Sequence, residues 1–165
     1  TVVKMPWDIV ILLGGGLTLA SGVSKTGLAA WLSSSLTALD GVSMIVFILI
    51  VVLLTIFLTE ITSNTATATL LVPIMGASAI AMGVHPFATV VSACVAASYA
   101  FMLPVATPPN AVIFGSGYIK IKDMAYAGFL MNISGSILIV LFVRYLLPVL
   151  WGIDLFSVPE IMPGG

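Results

Sequence analysis

Long uncharged apolar runs, separated by short polar interruptions, fill most of this sequence. Ile9 to Ser24 is the first and carries Gly14, Gly15 and Gly16. Lys25 to Leu39 has a different rhythm: Leu28, Trp31, Leu32, Leu36 and Leu39 recur every three or four positions, with Ser33, Ser34, Ser35 and Thr37 between them. That period predicts a short amphipathic helix along a membrane surface, with Trp31 at headgroup depth. Gly41 to Thr59 and Ile61 to Val84 are two further uncharged runs, separated by Glu60, with Ser63-Asn64-Thr65 close behind it. Pro86 to Ile119 follows, and Gly128 to Leu147 is the last apolar run, interrupted by Arg144. The pattern divides the chain into a membrane helix with an interfacial arm (1–40), a helical region (41–150) and a tail (151–165). The central region reads as a hairpin over 42–83, a broken helix over 86–119 and a last helix over 127–150.

Two interruptions stand out. Each run flanking Glu60 is long enough to cross ~30 Å of hydrocarbon at ~1.5 Å per residue. Two ordinary spans joined by a turn satisfy this, and so does a re-entrant hairpin with its tip inside the protein. A turn holding one charge and no Lys, Arg or Pro favours the buried tip. The second interruption is firmer. Pro86 to Ile119 holds 34 residues without a charge. A straight helix of that length would measure ~51 Å, too long for one span and too short for two spans with a loop. Pro104, Pro108 and Pro109 remove backbone donors and push their predecessors out of the helical region. One crossing built of two half-helices around an extended break is the simplest solution.

Composition agrees. The chain is 61% hydrophobic and 7% charged, with mean hydropathy +1.27. An all-α integral membrane protein is expected. A net charge of −1 offers no basic surface to nucleic acid. The single cysteine, Cys94, can form no intrachain disulfide. The glycine run lacks the Lys-Ser/Thr of a phosphate loop and reads as helix packing. His85 has no second histidine to share a metal, and it stands beside Pro86 in a connection. No nucleophile–base pair suggests an enzyme. The start at Thr1 and the small number of hydrophobic segments suggest a piece of a larger protein.

In lipid, non-helical backbone survives only where protein or a watery cavity satisfies it, so two breaks in one segment point to a binding site near the midplane. Each break creates a helix start, with a partial positive charge and free amides, and a helix end with free carbonyls. Starts near Thr65 and Asn110 would face an anion; ends near Thr62 and Val105 would face an alkali cation. Ser63, Asn64, Thr65 and Thr107 supply neutral donors for carboxylate oxygens, and the Asn64 amide oxygen suits a hard cation. Glu60 is an intramembrane carboxylate, a candidate for proton binding, for balancing cation charge or for pairing with a group elsewhere. Asn132 reads as a helix-packing residue.

At these residues the chain resembles the divalent-anion/sodium symporter family, which includes sodium-coupled dicarboxylate and citrate transporters. The matching text runs from Thr59 through Glu60-Ile61-Thr62-Ser63-Asn64-Thr65 to Thr67, and from Phe101 through Pro104-Val105-Ala106-Thr107-Pro108-Pro109-Asn110 to Ala111. Leu13-Gly14-Gly15-Gly16 and Met131-Asn132-Ile133 also agree. The resemblance implies the second of two inverted repeats of an elevator-type transporter, with a re-entrant helical hairpin and a broken transmembrane helix. It implies that 1–40 is scaffold and that 41–150 is half of the moving domain. It implies substrate contacts from Ser63, Asn64, Thr65, Thr107 and Pro108, and a sodium site from Thr59, Thr62, Asn64 and Ala106. It also implies a homodimer, completed by an N-terminal repeat that this sequence lacks.

The expected activity is sodium-coupled symport of dicarboxylates such as succinate across the plasma membrane, by a multi-pass protein in contact with lipid. Sodium ions are then bound and co-transported. Succinate, citrate, sulfate and tartrate all suit neutral donors and helix dipoles. A sodium-independent exchanger of the same fold, and a non-transporting membrane subunit, are the alternatives.

Overall fold

The computed structural model describes residues 43–155, together with residues 11, 14, 15, 18, 21, 22, 25–27 and 31. Of the first apolar run, Ile11, Gly14, Gly15, Thr18, Ser21 and Gly22 are helical, and Thr18 Oγ1 donates to the Gly14 carbonyl at 2.8 Å. Most of the interfacial arm over 25–39, the Asp40-Gly41 turn and the tail beyond Leu155 lie outside the described residues.

The regular structure of the described residues is helical. Helix α1 spans Met44–Thr59, α2 Asn64–Ala81, α3 Pro86–Ala96, α4 Pro108–Gly115 and α5 Ile121–Leu141. A π-helical turn, Phe142–Leu146, leads into α6, Leu147–Trp151. Ile121–Trp151 is the one described helix long and apolar enough to cross a membrane. It begins six residues before the expected 127. Lys122 and Asp123, outside the expected helix, occupy its first turn. There Asp123 complements the positive end of the helix dipole.

Local chemistry explains the helix starts. Ser43 caps α1, its hydroxyl accepting from Val46 N. His85 caps α3, its Nδ1 accepting from Phe87 N at 3.2 Å, and Pro86 fills the first turn, where a missing N–H costs nothing. Pro73 lies inside α2 and removes one ladder bond there. Threonines in these apolar helices return their hydroxyl protons to the preceding turn, as Thr55 does to Val51 O at 2.7 Å.

Helices α1, α3 and α5 share a core. Ile48, Val52 and Ile56 of α1 meet Ala88 and Ala96 of α3, Ile139 and Val140 of α5, and Val143 and Leu147 beyond it. Small residues let α5 come close. The Tyr99 ring stands where a Cβ on Gly135 would be, and the backbone of Phe101 and Met102 stands where one on Gly128 would be. Gly135→Val is expected to lower the melting temperature of the protein in detergent, because displacing the Tyr99 ring costs ~1–3 kcal/mol of overpacking strain. Unaltered melting would show that the ring moves aside freely.

The two breaks are therefore the connection after Thr59 and the stretch from Ala97 to Thr107. Both have residues packed against α5.

Candidate functional site

The first break follows α1. Helix α1 ends at Thr59, three residues before the expected Thr62, and Glu60 to Thr62 turn the chain. Ser63 then caps α2: its Oγ accepts from Ala66 N at 3.1 Å and its carbonyl from Thr67 N. Among the described residues no hydrogen bond reaches the Asn64 and Thr65 amides, the first two of α2. Ser63 and Thr65 are exposed, while Asn64 is half-buried.

Side chains brace this turn. Thr59 Oγ1 lies 2.8 Å from Asn64 Oδ1 and 2.9 Å from the Ala97 carbonyl. A hydroxyl has one proton and cannot donate to both. The count closes if Asn64 presents its amide nitrogen to Thr59 and turns its oxygen away. Thr62 Oγ1 donates to Leu58 O at 2.8 Å and pairs at 2.5 Å with Thr67 Oγ1.

The second break is longer than its prolines suggested. Helix α3 ends at Ala96, well before the expected Val105. Tight turns follow, with Ser98 N donating to Val95 O and Tyr99 N to Ala96 O. Ala100 to Leu103 are non-helical, Pro104 to Ala106 form a turn, and Thr107 caps α4.

Two buried side chains satisfy this backbone. Glu60, 3% exposed, accepts from Phe101 N at 2.8 Å, from Met102 N at 2.9 and 3.1 Å, and from Leu103 N at 3.1 Å. Asn132 of α5 donates a further bond to Glu60 Oε1 at 2.7 Å. Asn110 Nδ2 donates to the carbonyls of Ala100 at 2.8 Å and Leu103 at 3.0 Å. The acceptor comes from one break and the donor from α4, so each polar backbone group they reach has a partner away from water. Neither role for Asn110 nor that for Asn132 was read from the sequence. Both are buried polar residues in apolar text, which was the available signal. Asn132 Oδ1 has no hydrogen-bond partner among the described residues.

These bonds revise the expected division between helix ends. At α4 the first two residues are prolines without N–H groups, Asn110 N is accepted by Thr107 Oγ1, and Ala111 N by Thr107 O. The α4 start therefore offers an anion its dipole and the Thr107 hydroxyl, but no free amide. At the α3 end the carbonyls of Val95, Ala96 and Ala97 already accept bonds.

Of the expected ligands, Thr59 and Asn64 are brought into contact, and Thr62 is tied to Thr67. Ala106 is buried, Thr107 half-buried and Pro108 exposed. Among the described residues no hydrogen bond joins Ser63–Thr65 directly to Ala106–Pro108; the link runs through Thr59 and Glu60. A cleft of about 640 Å³ between α4 and α5 is lined by Phe101, Pro109, Asn110, Tyr118, Met124 and Gly128, and contains none of these expected ligands.

Residues 1–158 match the family described as the sodium:sulfate symporter transmembrane region. The sodium-dependent dicarboxylate transporter SdcS of Staphylococcus saprophyticus is 51% identical over 150 residues, which cover 91% of this chain and 29% of that protein. The protein of the same name from Staphylococcus aureus strain MRSA252 is 51% identical over 152 residues, 92% of this chain and 29% of its own length. The chain thus spans less than a third of the length of the curated relatives it matches.

Proposed function

This chain belongs to the sodium:sulfate symporter family, a family of transporters rather than enzymes, and we propose that it forms one of two inverted repeats of a sodium-coupled dicarboxylate symporter. The observation that carries this reading is the junction of the two breaks. Thr59 and Glu60, adjacent at the end of α1, bond the Ala97 carbonyl and the 101–103 amides. A polar turn and a polar break are thereby held together inside an apolar bundle, as a midplane site requires.

In this account α1 and α2 form a re-entrant hairpin. At 16 and 18 residues they measure ~24 and ~27 Å, each short of ~30 Å of hydrocarbon. A substrate carboxylate is held by the uncommitted Asn64 and Thr65 amides, by the Ser63, Thr65 and Thr107 hydroxyls, and against Pro108. Sodium takes oxygens of Thr59, Thr62, Asn64 and Ala106. Lys, Arg and His are absent from both breaks, so the anion meets only neutral donors and helix dipoles, a grip weak enough to release.

Sodium orders the hairpin tip, and substrate then binds the ordered state better than the empty one, which is what coupling demands. The complete protein is a multi-pass homodimer of the plasma membrane, and an elevator-like movement of residues 41–150 against a scaffold containing 1–40 carries the substrate across. Dicarboxylates are favoured over sulfate by the names of the relatives, and succinate is the first substrate to try.

Asn64→Ala in the full-length transporter removes a ligand shared by both sites. It is expected to raise both the succinate KM and the sodium half-saturation at least tenfold in proteoliposomes. Unchanged values would remove Asn64 from the site. Stimulation of uptake by internal succinate in sodium-free buffer would replace symport with exchange.

A further inference from the structure

Glu60 holds the geometry of the site without touching what the site binds. Its carboxylate has about four lone-pair positions, and four donors fill them: the amides of Phe101, Met102 and Leu103 and the side-chain amide of Asn132. All lie within 3.1 Å, with the residue 3% exposed. No lone pair is left for a cation. No proton is available to donate to an anion, because each contact is one in which Glu60 accepts.

Three consecutive backbone amides converging on one anion form a nest of the kind that binds free phosphates and carboxylates. Here the anion is built into the chain, from 41 residues upstream of Phe101. Position 60 also follows Thr59 directly. Thr59 reaches the Ala97 carbonyl at the start of the break and Asn64 in the hairpin tip. Two adjacent side chains thus join the tip, the start and middle of the second break, and α5.

We propose that Glu60 is a positioning residue: an internal anion latch that locks the backbone of 101–103 to the base of the hairpin and so sets the spacing between Ser63–Thr65 and Ala106–Pro108. Asn132 is the second half of the latch, aiming the carboxylate from α5. This rests on the assignment of both breaks to one site. It replaces charge balancing of transported sodium as the role of Glu60. The latch acts on affinity for both ligands at once, since each ligand is shared between the two breaks. It leaves the number of sodium ions per substrate untouched.

The test uses the full-length transporter in proteoliposomes, with Glu60→Gln and Glu60→Asp beside Asn64→Ala. Glu60→Gln keeps the shape but turns one acceptor into a donor facing backbone amides. Glu60→Asp keeps the charge but shortens the reach by one methylene. Both are expected to raise the succinate KM and the sodium half-saturation at least tenfold, with kcat changed less than threefold. The reversal potential of uptake is expected to report an unaltered sodium-to-succinate ratio. Glu60→Asp behaving like the wild type while Glu60→Gln loses one coupled sodium would overturn the latch in favour of charge balancing. Wild-type affinities in both Glu60 variants, with Asn64→Ala impaired, would reject the latch and leave the site intact. No effect of Asn64→Ala, with both Glu60 variants impaired in affinity, would fault the site residues rather than the latch. Should Glu60→Gln fail to fold, Glu60→Asp alone separates the two roles.

Discussion

Asn110→Asp is expected to lower succinate uptake at least a hundredfold, although it exchanges a single NH₂ for oxygen. Asn110 is 7% exposed, and its Nδ2 donates to the carbonyls of Ala100 and Leu103. Aspartate has no donor to give when ionised, and a protonated one serves a single carbonyl. Leaving a buried acceptor unmet costs ~1–3 kcal/mol. An ionised carboxylate facing two carbonyl dipoles costs more. The break would respond by shifting its backbone, and Thr107 and Pro108, three and two residues before Asn110, would move with it. Initial rates of labelled uptake per reconstituted protein, together with a melting curve, measure this. A rate within threefold of the wild type would show that the Asn110 bonds do not hold the break. Asn110→Gln keeps the donor on a longer arm and is expected to be milder.

The second large effect is at Gly128. A Cβ there would overlap the backbone of Phe101 and Met102, the peptide that Glu60 grips from the other side. Backbone under that grip cannot swing aside as the Tyr99 ring can at Gly135. Gly128→Val is therefore expected to abolish folding, read as loss of a monodisperse peak in detergent. Gly128→Ala is expected to cost more melting temperature than Gly135→Ala, since overpacking strain of ~1–3 kcal/mol grows where nothing can yield. The reverse order would mean that α5 slides outward without disturbing the break.

Helix content and the existence of both interruptions were legible in the sequence, because proline chemistry and hydrocarbon thickness are local constraints. Pro104, Pro108 and Pro109 announced the second break. They did not announce where it begins. Ala97 to Met102 looks like continuing helix, and it is opened by a carboxylate about forty residues upstream that takes the amides of Phe101, Met102 and Leu103. No periodicity encodes such a long-range acceptor. The same limit hid Asn110 and Asn132: a polar residue in an apolar run shows no sign of the neighbour it will face. The last helix errs in the other direction: the expected start at 127 leaves out Lys122 and Asp123, but an exposed first turn tolerates Lys122 and welcomes Asp123. The free amides assigned to the α4 start were lost for a reason the sequence did contain, since two prolines and a threonine cap leave none.

Among the expected ligands, Thr59 and Asn64 come together through a bond that depends on the hairpin closing at Thr59, whereas Ser63 and Thr65 stay exposed. That is consistent with a tip whose inner residues are set by the protein and whose outer residues wait for a ligand.

The most direct test of sodium-coupled dicarboxylate transport is the initial rate of labelled succinate uptake by the full-length protein in sealed proteoliposomes, under an inward sodium gradient and with choline replacing sodium. Uptake that accumulates succinate against its gradient in sodium and falls to the level of protein-free liposomes in choline is the predicted result. Equal uptake in the two buffers would contradict it.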